Sequence, residues 1–337
     1  MKKENKKLNS QISKYIKRID QAKVELKKAV VGQDEIVGSL FRAIICDGHV
    51  LLEGVPGIAK TLIIKSLAAI TSTKFSRIQF TPDLLPTDIL GITVYSDNTK
   101  NNKKDGMFYT VKGPIFGDFI LGDEINRSPP KVQSALLEAM QERQVTIGKQ
   151  TFELKKPFFV LATQNPIESI GTYPLPAAEL DRFLFKLKIG YPSLEDEKNI
   201  LEENMTIMDF KSFGLKPALS EKEILALQEV VHEIYMDDKL KKYIIKIVDA
   251  TRNPDNYKVT FGKFIDFGGS PRASIGIYIA AKAEALLNNR SFVVPEDVKR
   301  VTHDVLRHRI LVNYEGQSED ITPEQIIDEI LTKVAVP

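Results

Sequence analysis

The chain has 337 residues, more than one average domain needs and enough for two, each with its own core. Lys and Arg (47) nearly balance Asp and Glu (45) for a net charge of +2, and 43% hydrophobic with 27% charged residues is the mix of an ordinary globule. That composition excludes collagen-like, disordered and disulfide-scaffold classes.

The first 30 residues hold ten bases against three acids, so this segment carries +7 and the remainder −5. Leu8, Ile12, Ile16, Ile19 and Leu26 recur at helical spacing, which predicts an amphipathic helix over residues 8 to 29 that docks on the body or on a neighbouring subunit. Its lysines read as the solvated face. A mildly acidic body argues against an enzyme that grips many phosphates, so no nucleic-acid partner is expected. No apolar run approaches the roughly 18 residues of a bilayer crossing, and the first residues lack a signal-peptide apolar core. The lone cysteine, Cys46, leaves no intrachain disulfide or cysteine zinc cage. The expectation is a cytoplasmic protein without a membrane span.

Beyond that helix, short apolar runs at His49 to Leu52, Ile78 to Phe80, Phe119 to Leu121, Phe158 to Ala162 and Phe183 to Leu187 predict buried strands. Helix-like stretches, including Thr61 to Ile70 and Pro130 to Glu142, lie between them. This alternation predicts an α/β fold with a parallel sheet covered on both faces. Two stretches, near 91–112 and 144–154, read as hairpins inserted into that domain. From about Ser193 the strands are expected to stop, and periodic segments near 195–206, 219–234, 238–250, 273–288 and 295–306 predict an all-helical second domain. The predicted division is 1–30, 31–192 and 193–337, with no internal repeat.

The sharpest chemistry follows the first strand. Gly54, Val55, Pro56, Gly57, Ile58, Ala59, Lys60 and Thr61 stand between a strand and an apolar-periodic helix, the context of a phosphate-binding loop. Glycines let backbone N–H groups curl around phosphate oxygens, Lys60 reaches the β and γ phosphates, and Thr61 offers a hydroxyl to Mg²⁺. Ala59 replaces the usual last glycine of the loop and fits if its backbone is already near helical geometry. Asp123 and Glu124 end another strand, where Asp123 would hold Mg²⁺ through water and Glu124 would orient or deprotonate the attacking water. Asn165 follows a further strand and is placed to touch the γ-phosphate, or else forms an Asx-turn before Pro166.

With these residues in order, the chain resembles the MoxR family of AAA+ ATPases from Val31-Gly32-Gln33 to about Arg309. The likeness runs through GHVLLEGVPGIAKT, QFTPDLLPTDILG, GDEINRSPPKVQSALLEAMQERQVT, ATQNPIESIGTYPLPAAELDRF, GGSPRA and VVPEDVKRVTHDVLRHRI. It implies a five-stranded P-loop core followed by a smaller helical lid, with ATP and Mg²⁺ as cofactors. Lys60 and Thr61 then resemble Walker A, Asp123 and Glu124 Walker B, and Asn165 sensor 1. Arg182 resembles the arginine finger that reaches the neighbouring subunit's γ-phosphate. Arg272 resembles sensor 2, carried by the lid and closing over the same phosphate. Val31 and Gln33 would lie near adenine, and Arg127 and Arg143 stand as further candidates between subunits. The two hairpins resemble the helix 2 insert and the hairpin before sensor 1, the likeliest substrate contacts, with Lys100, Lys103 and Lys104 at one tip.

The resemblance implies a Mg²⁺-dependent ATPase that assembles as a ring, expected as a hexamer, and remodels or matures a protein partner such as one with a von Willebrand factor A domain. A chelatase-type ATPase subunit is the nearest alternative. A nucleotide-locked assembly switch is a third reading, against which Glu124 speaks, since a pure binding module needs no water-activating carboxylate.

Overall fold

The computed structural model describes residues 2–55, 60–98, 105–165, 171–202 and 210–337. Five strands form one parallel sheet: β1 (Val50–Gly54), β2 (Phe75–Gln79), β5 (Phe119–Asp123), β8 (Phe159–Gln164) and β9 (Phe185–Ile189), in the order β2-β5-β8-β1-β9. Two antiparallel hairpins interrupt it, β3 (Gly91–Asn98) with β4 (Asp105–Lys112), and β6 (Gln144–Ile147) with β7 (Gln150–Glu153). Both fall where the sequence predicts inserts. Gly91 opens the first at φ +112, where an added Cβ would stand 2.2 Å from the Val111 carbonyl oxygen, so the base of this hairpin requires glycine.

The inner strands are continuous apolar runs because both faces are covered. Side chains alternate between two cores: Val50, Leu52, Phe119, Leu121, Phe159 and Leu161 face one, while Leu51, Ile120, Val160 and Ala162 face the other. The second core is closed by α5 (Pro130–Glu142) and the short α4 (Pro86–Leu90). The first is closed by α2 (Asp34–Ile45) and α3 (Lys60–Ile70) and runs without a break into the lid. At the edge, β9 alternates, with Lys186 pairing Glu53 at 2.6 Å and Lys188 pairing Glu324 at 2.9 Å, a charged margin that discourages further strand pairing.

The predicted N-terminal helix is α1 (Lys2–Lys27), and it docks on the chain's own body. Ile12, Ile19 and Leu26 are buried, and Arg18 pairs with Glu223 at 3.1 Å. A single turn, α6 (Ala177–Leu180), precedes β9, and the helices α7 (Leu194–Glu202), α8 (Glu221–Glu233), α9 (Asp238–Ala250), α10 (Pro271–Leu287), α11 (Pro295–Leu306), α12 (Tyr314–Ser318) and α13 (Pro323–Lys333) make up the rest. The strands do not stop entirely at Ser193: a ribbon of β10 (Ile265–Phe267) and β11 (Leu311–Val312) ties the lid together. At three and two residues, these strands are too short to show an alternation in the sequence. Among the described residues, no helix is long and apolar enough to cross a membrane.

Candidate functional site

The C-terminal ends of β1, β5 and β8 meet at one edge of the sheet, where strand order reverses around β1 and ligands bind in open α/β sheets. Lys60, first residue of α3, turns its ammonium back onto the carbonyl oxygens of Gly54 and, at 3.3 Å, Gln164. Burial pushes the Lys60 pKa below its usual value, while Asp123, Glu124 and Glu53 pull it back up. A lysine held this way is partly stripped of water and ready for a phosphate, whose charge would restore it. Thr61 follows on α3. Pro56, Gly57, Ile58 and Ala59 lie outside the described residues, as do the hairpin lysines Lys100, Lys103 and Lys104.

Asp123 and Glu124 are organised by a group the sequence reading missed. Thr163, fully buried on β8, donates to Asp123 Oδ1 at 2.8 Å and accepts the Glu124 backbone N–H at 2.9 Å. One hydroxyl therefore fixes the carboxylate of one residue and the backbone of the next. Glu124 needs that hold, because its φ of +58° lies in the left-handed region, which costs a residue with a side chain roughly 1–3 kcal/mol. Its carboxylate accepts from Gln79 Nε2 at 3.0 Å and faces Arg127 at 3.6 Å. Asn165 follows β8 and is buried. Two side chains on β2, in register with β5, complete the cluster: Gln79, and Arg77, whose Nη2 donates to Asp123 Oδ2 at 2.6 Å. Arg77 belongs to no motif, whereas Gln79 opens the QFTPDLLPTDILG stretch; what ties both to the acidic pair is strand pairing, which one sequence does not display.

These residues suit a hard cation. Thr61 and Asp123 supply oxygen donors, the kind Mg²⁺ takes while keeping several waters. That a guanidinium already lies against Asp123 Oδ2 indicates that this oxygen faces a space where positive charge is favourable. The turn carrying Val31 and Gln33 shares this edge: a Cβ added to Gly32 would stand 2.6 Å from the Asp196 carboxyl carbon, at the start of α7 just after β9 ends.

Arg182 lies at the other edge. The Leu184 N–H donates to the His49 carbonyl at 2.9 Å, and Phe185 pairs with Val50 while Ile189 pairs with Gly54. Arg182 is thus placed before the strands begin, about 17 Å along β1 from the loop end at Gly54. Arg272 is there too. Ser270 caps α10 and donates to Asp181 Oδ2 at 2.8 Å, which sets the first turn of the helix beside the Asp181-Arg182 segment. The reason is Arg309, almost wholly buried, which donates to Asp181 Oδ1 at 2.7 Å and to the Phe183 carbonyl at 2.7 Å and bolts the lid to this edge. Neither the Arg182 nor the Arg272 guanidinium has a hydrogen-bond or ion-pair partner among the described residues.

Arg143 is not free to act between subunits: it donates to the carbonyls of Phe158 and Asp47, both at 2.7 Å, and pairs with the Asp47 carboxylate. His49 and His308 are buried, each with its pKa held well below the usual value chiefly by burial. No group of three or more His, Cys, Asp or Glu among the described residues could hold a metal.

The sequence profile described as "ATPase family associated with various cellular activities (AAA)" matches residues 49–185, and the AAA lid domain profile matches 262–330. The chain is 46% identical to Chaperone MoxR1 of Mycobacterium tuberculosis over 95% of its own length and 82% of that protein's. It is 29% identical to Protein MoxR of Paracoccus denitrificans, over 98% and 99% of the two chains. The crystal structure of a candidate ATPase from Cytophaga hutchinsonii superposes with a TM-score of 0.90 at 45% identity, covering 99% of both chains. With Lys60, the paired acids and the lid arranged as above, the chain belongs to the MoxR family of AAA+ ATPases.

Proposed function

We propose that this protein hydrolyses ATP only as a ring, expected to contain six copies, in which each site is completed by the next copy, and that turnover drives remodelling of a protein client. The observation that carries this reading is the placement of Arg182 and Arg272: two guanidinium groups without partners among the described residues, at the edge opposite Lys60 and the end of β1. They cannot serve the loop of their own chain from there, but a head-to-tail neighbour brings them to its γ-phosphate. An arginine so supplied stabilises charge spreading on the transferring phosphoryl group and is worth about 10³–10⁵ in rate in GTPases.

In this reading Lys60 binds the β and γ phosphates and Asn165 aligns the γ-phosphate with the attacking water. Glu124 takes that water's proton, and Gln79 and Arg127 orient Glu124. Thr61 and Asp123 would hold Mg²⁺, which would neutralise phosphate charge when bound. Val31 and Gln33 flank the base, and Pro56 to Ala59 complete the phosphate loop. The division at 30 and 192 separates the docking helix, the nucleotide core and the lid.

The client side of the reading rests on the β3–β4 hairpin, where Ile92, Tyr95, Phe108, Tyr109 and Val111 are exposed and Tyr95 packs on Phe108 with ring centroids 5.0 Å apart. So much apolar surface on one ribbon fits contact with a partially exposed protein segment. The relative named a chaperone supports a protein client, and a von Willebrand factor A domain protein in the cytoplasm is the class we favour. Phosphate release, measured with Mg²⁺-ATP across protein concentration, tests the proposal. The rate per chain rises with concentration and is abolished by Lys60→Ala, Glu124→Gln or Arg182→Ala; ATP binding without turnover at any concentration instead supports the assembly switch.

A further inference from the structure

Helix α7 has no buried residue, yet it is amphipathic. Asp196 faces the turn that holds Val31 and Gln33, its carboxyl carbon 2.6 Å from where a Cβ on Gly32 would stand. At about 3.6 residues per turn, Leu194 and Leu201 then fall on the opposite side of the helix, and they are 87% and 76% exposed. Glu197 borders this leucine stripe on one flank, Glu195 and Glu202 on the other. A surface helix normally turns its apolar stripe onto its own core. This one presents the stripe outward, ringed by acids, at the edge of the sheet that holds Lys60.

The lid carries a matching seam beside Arg272. Helices α9 and α10 run antiparallel: a Cβ added to Gly269 would meet Ala273, in the first turn of α10, at 3.1 Å and Val248, near the end of α9, at 3.5 Å, whereas Lys241, in the first turn of α9, lies within electrostatic reach of Tyr278. That register sets Ile245 beside Ile275 and Tyr278, and the two isoleucines are 58% and 65% exposed. Lys242 and Lys246, one turn apart on α9, flank the seam and have no ion-pair partner among the described residues. Ile275 stands about 4.5 Å farther along α10 than Arg272, so the seam adjoins the arginine edge. Apolar surface bordered by unpaired lysines fits an apolar helix bordered by acids.

We propose that this seam receives helix α7 of a second copy of the chain, with Leu194 and Leu201 packing on Ile245 and Ile275 and the flanking glutamates facing Lys242 and Lys246. Two different faces of one molecule meet, so the contact is heterologous and runs head to tail. It rests on the ring reading, in which the Arg272 edge of one copy meets the Lys60 edge of the next. It goes further by naming the contact that holds those edges together, away from the phosphates. Charge and position select this occupant: α7 is acidic, and it lies on the edge that such an assembly brings to the lysines.

The test is sedimentation of the full chain with Mg²⁺-ATP across protein concentration. Lys242→Glu with Lys246→Glu, and separately Glu195→Lys with Glu197→Lys, set like charges against each other and raise the concentration for half-assembly about tenfold at low salt. Combining all of these reversals restores opposite charges, and half-assembly returns to within about threefold of wild type, a rescue that neither misfolding nor an acidic segment of another protein would produce. Leu201→Ser alters no charge and raises that concentration several-fold at high salt as well, where the reversals have little effect. Assembly at the wild-type concentration by either double reversal overturns the proposal and leaves the seam to an acidic partner, with the ring intact. A combined variant that assembles no better than the weaker double overturns it too. A wild-type chain that stays monomeric at every concentration removes the ring reading, and this inference with it.

Discussion

Replacing Thr163 with valine tests whether one buried hydroxyl organises the acidic pair. The side chain keeps its shape but loses a hydrogen bond to the ionised Asp123 at 2.8 Å and one from the Glu124 N–H at 2.9 Å. The first contributes about 1.5–3 kcal/mol and the second about 0.5–1.5, so Thr163→Val loses roughly 2–4 kcal/mol of stability. The larger consequence is for turnover. Glu124 sits in a left-handed conformation that this bond helps to hold, and release of the backbone moves the carboxylate from its water. A displacement of about 1 Å costs on the order of 100-fold in kcat, while KM for ATP changes little because the phosphate loop is untouched. Thr163→Ser retains both bonds and should keep most of the activity. Urea denaturation gives the stability term and steady-state phosphate release the rate. A Thr163→Val enzyme with wild-type kcat, or a Thr163→Ser enzyme as damaged as the valine variant, would refute the reasoning.

Arg77→Gln removes the cation held against Asp123 Oδ2, so Mg²⁺ no longer competes with it, and the Mg²⁺ concentration for half-maximal turnover falls several-fold; an unchanged or higher requirement contradicts this. Asp181→Asn leaves the buried Arg309 without its counter-charge and destabilises the fold by about 3–5 kcal/mol, read as a lowered urea midpoint. Acid should unfold the protein through His49 and His308. Both are neutral in the native state because their pKa values are depressed, whereas the unfolded chain takes up protons below pH 6.5, so stability is lost as pH falls through that value. The loss is measurable as a lower urea midpoint at pH 5 than at pH 7.5, and His308→Gln should reduce that difference.

Much of this was legible in the sequence where local pattern and function coincide. The phosphate loop, the acidic pair and Asn165 each end a strand, so an apolar run followed by a polar residue betrays them without any knowledge of tertiary structure. The two hairpins were marked by their glycines and polar centres, and α1 by Ile12, Ile19 and Leu26 at helical spacing. What was hidden depends on pairing across the chain. Gln79 and Thr163 stand within stretches that carry the family likeness, but the hold of Arg77, Gln79 and Thr163 on the acidic pair runs through strand neighbours 39 to 46 residues away, which local sequence does not announce. Arg272 is the most instructive case. Its motif predicts a phosphate contact, but not which chain's phosphate; that is decided by Arg309 gripping Asp181 across 128 residues, a buried ion pair that anchors the lid to the far edge of the sheet.

The central claim, that each site is completed by arginines from the neighbouring copy, is tested most directly by mixing two inactive variants. Lys60→Ala has an intact Arg182 but a disabled phosphate loop, and Arg182→Ala has the reverse. Mixed in equal amounts and allowed to exchange subunits with Mg²⁺-ATP, they should regain about a quarter of the wild-type rate, the fraction of head-to-tail contacts that join a sound loop to a sound arginine. A mixture that remains as inactive as its components, when sedimentation shows mixed assemblies, would contradict the account, as would an Arg182→Ala protein with full activity alone.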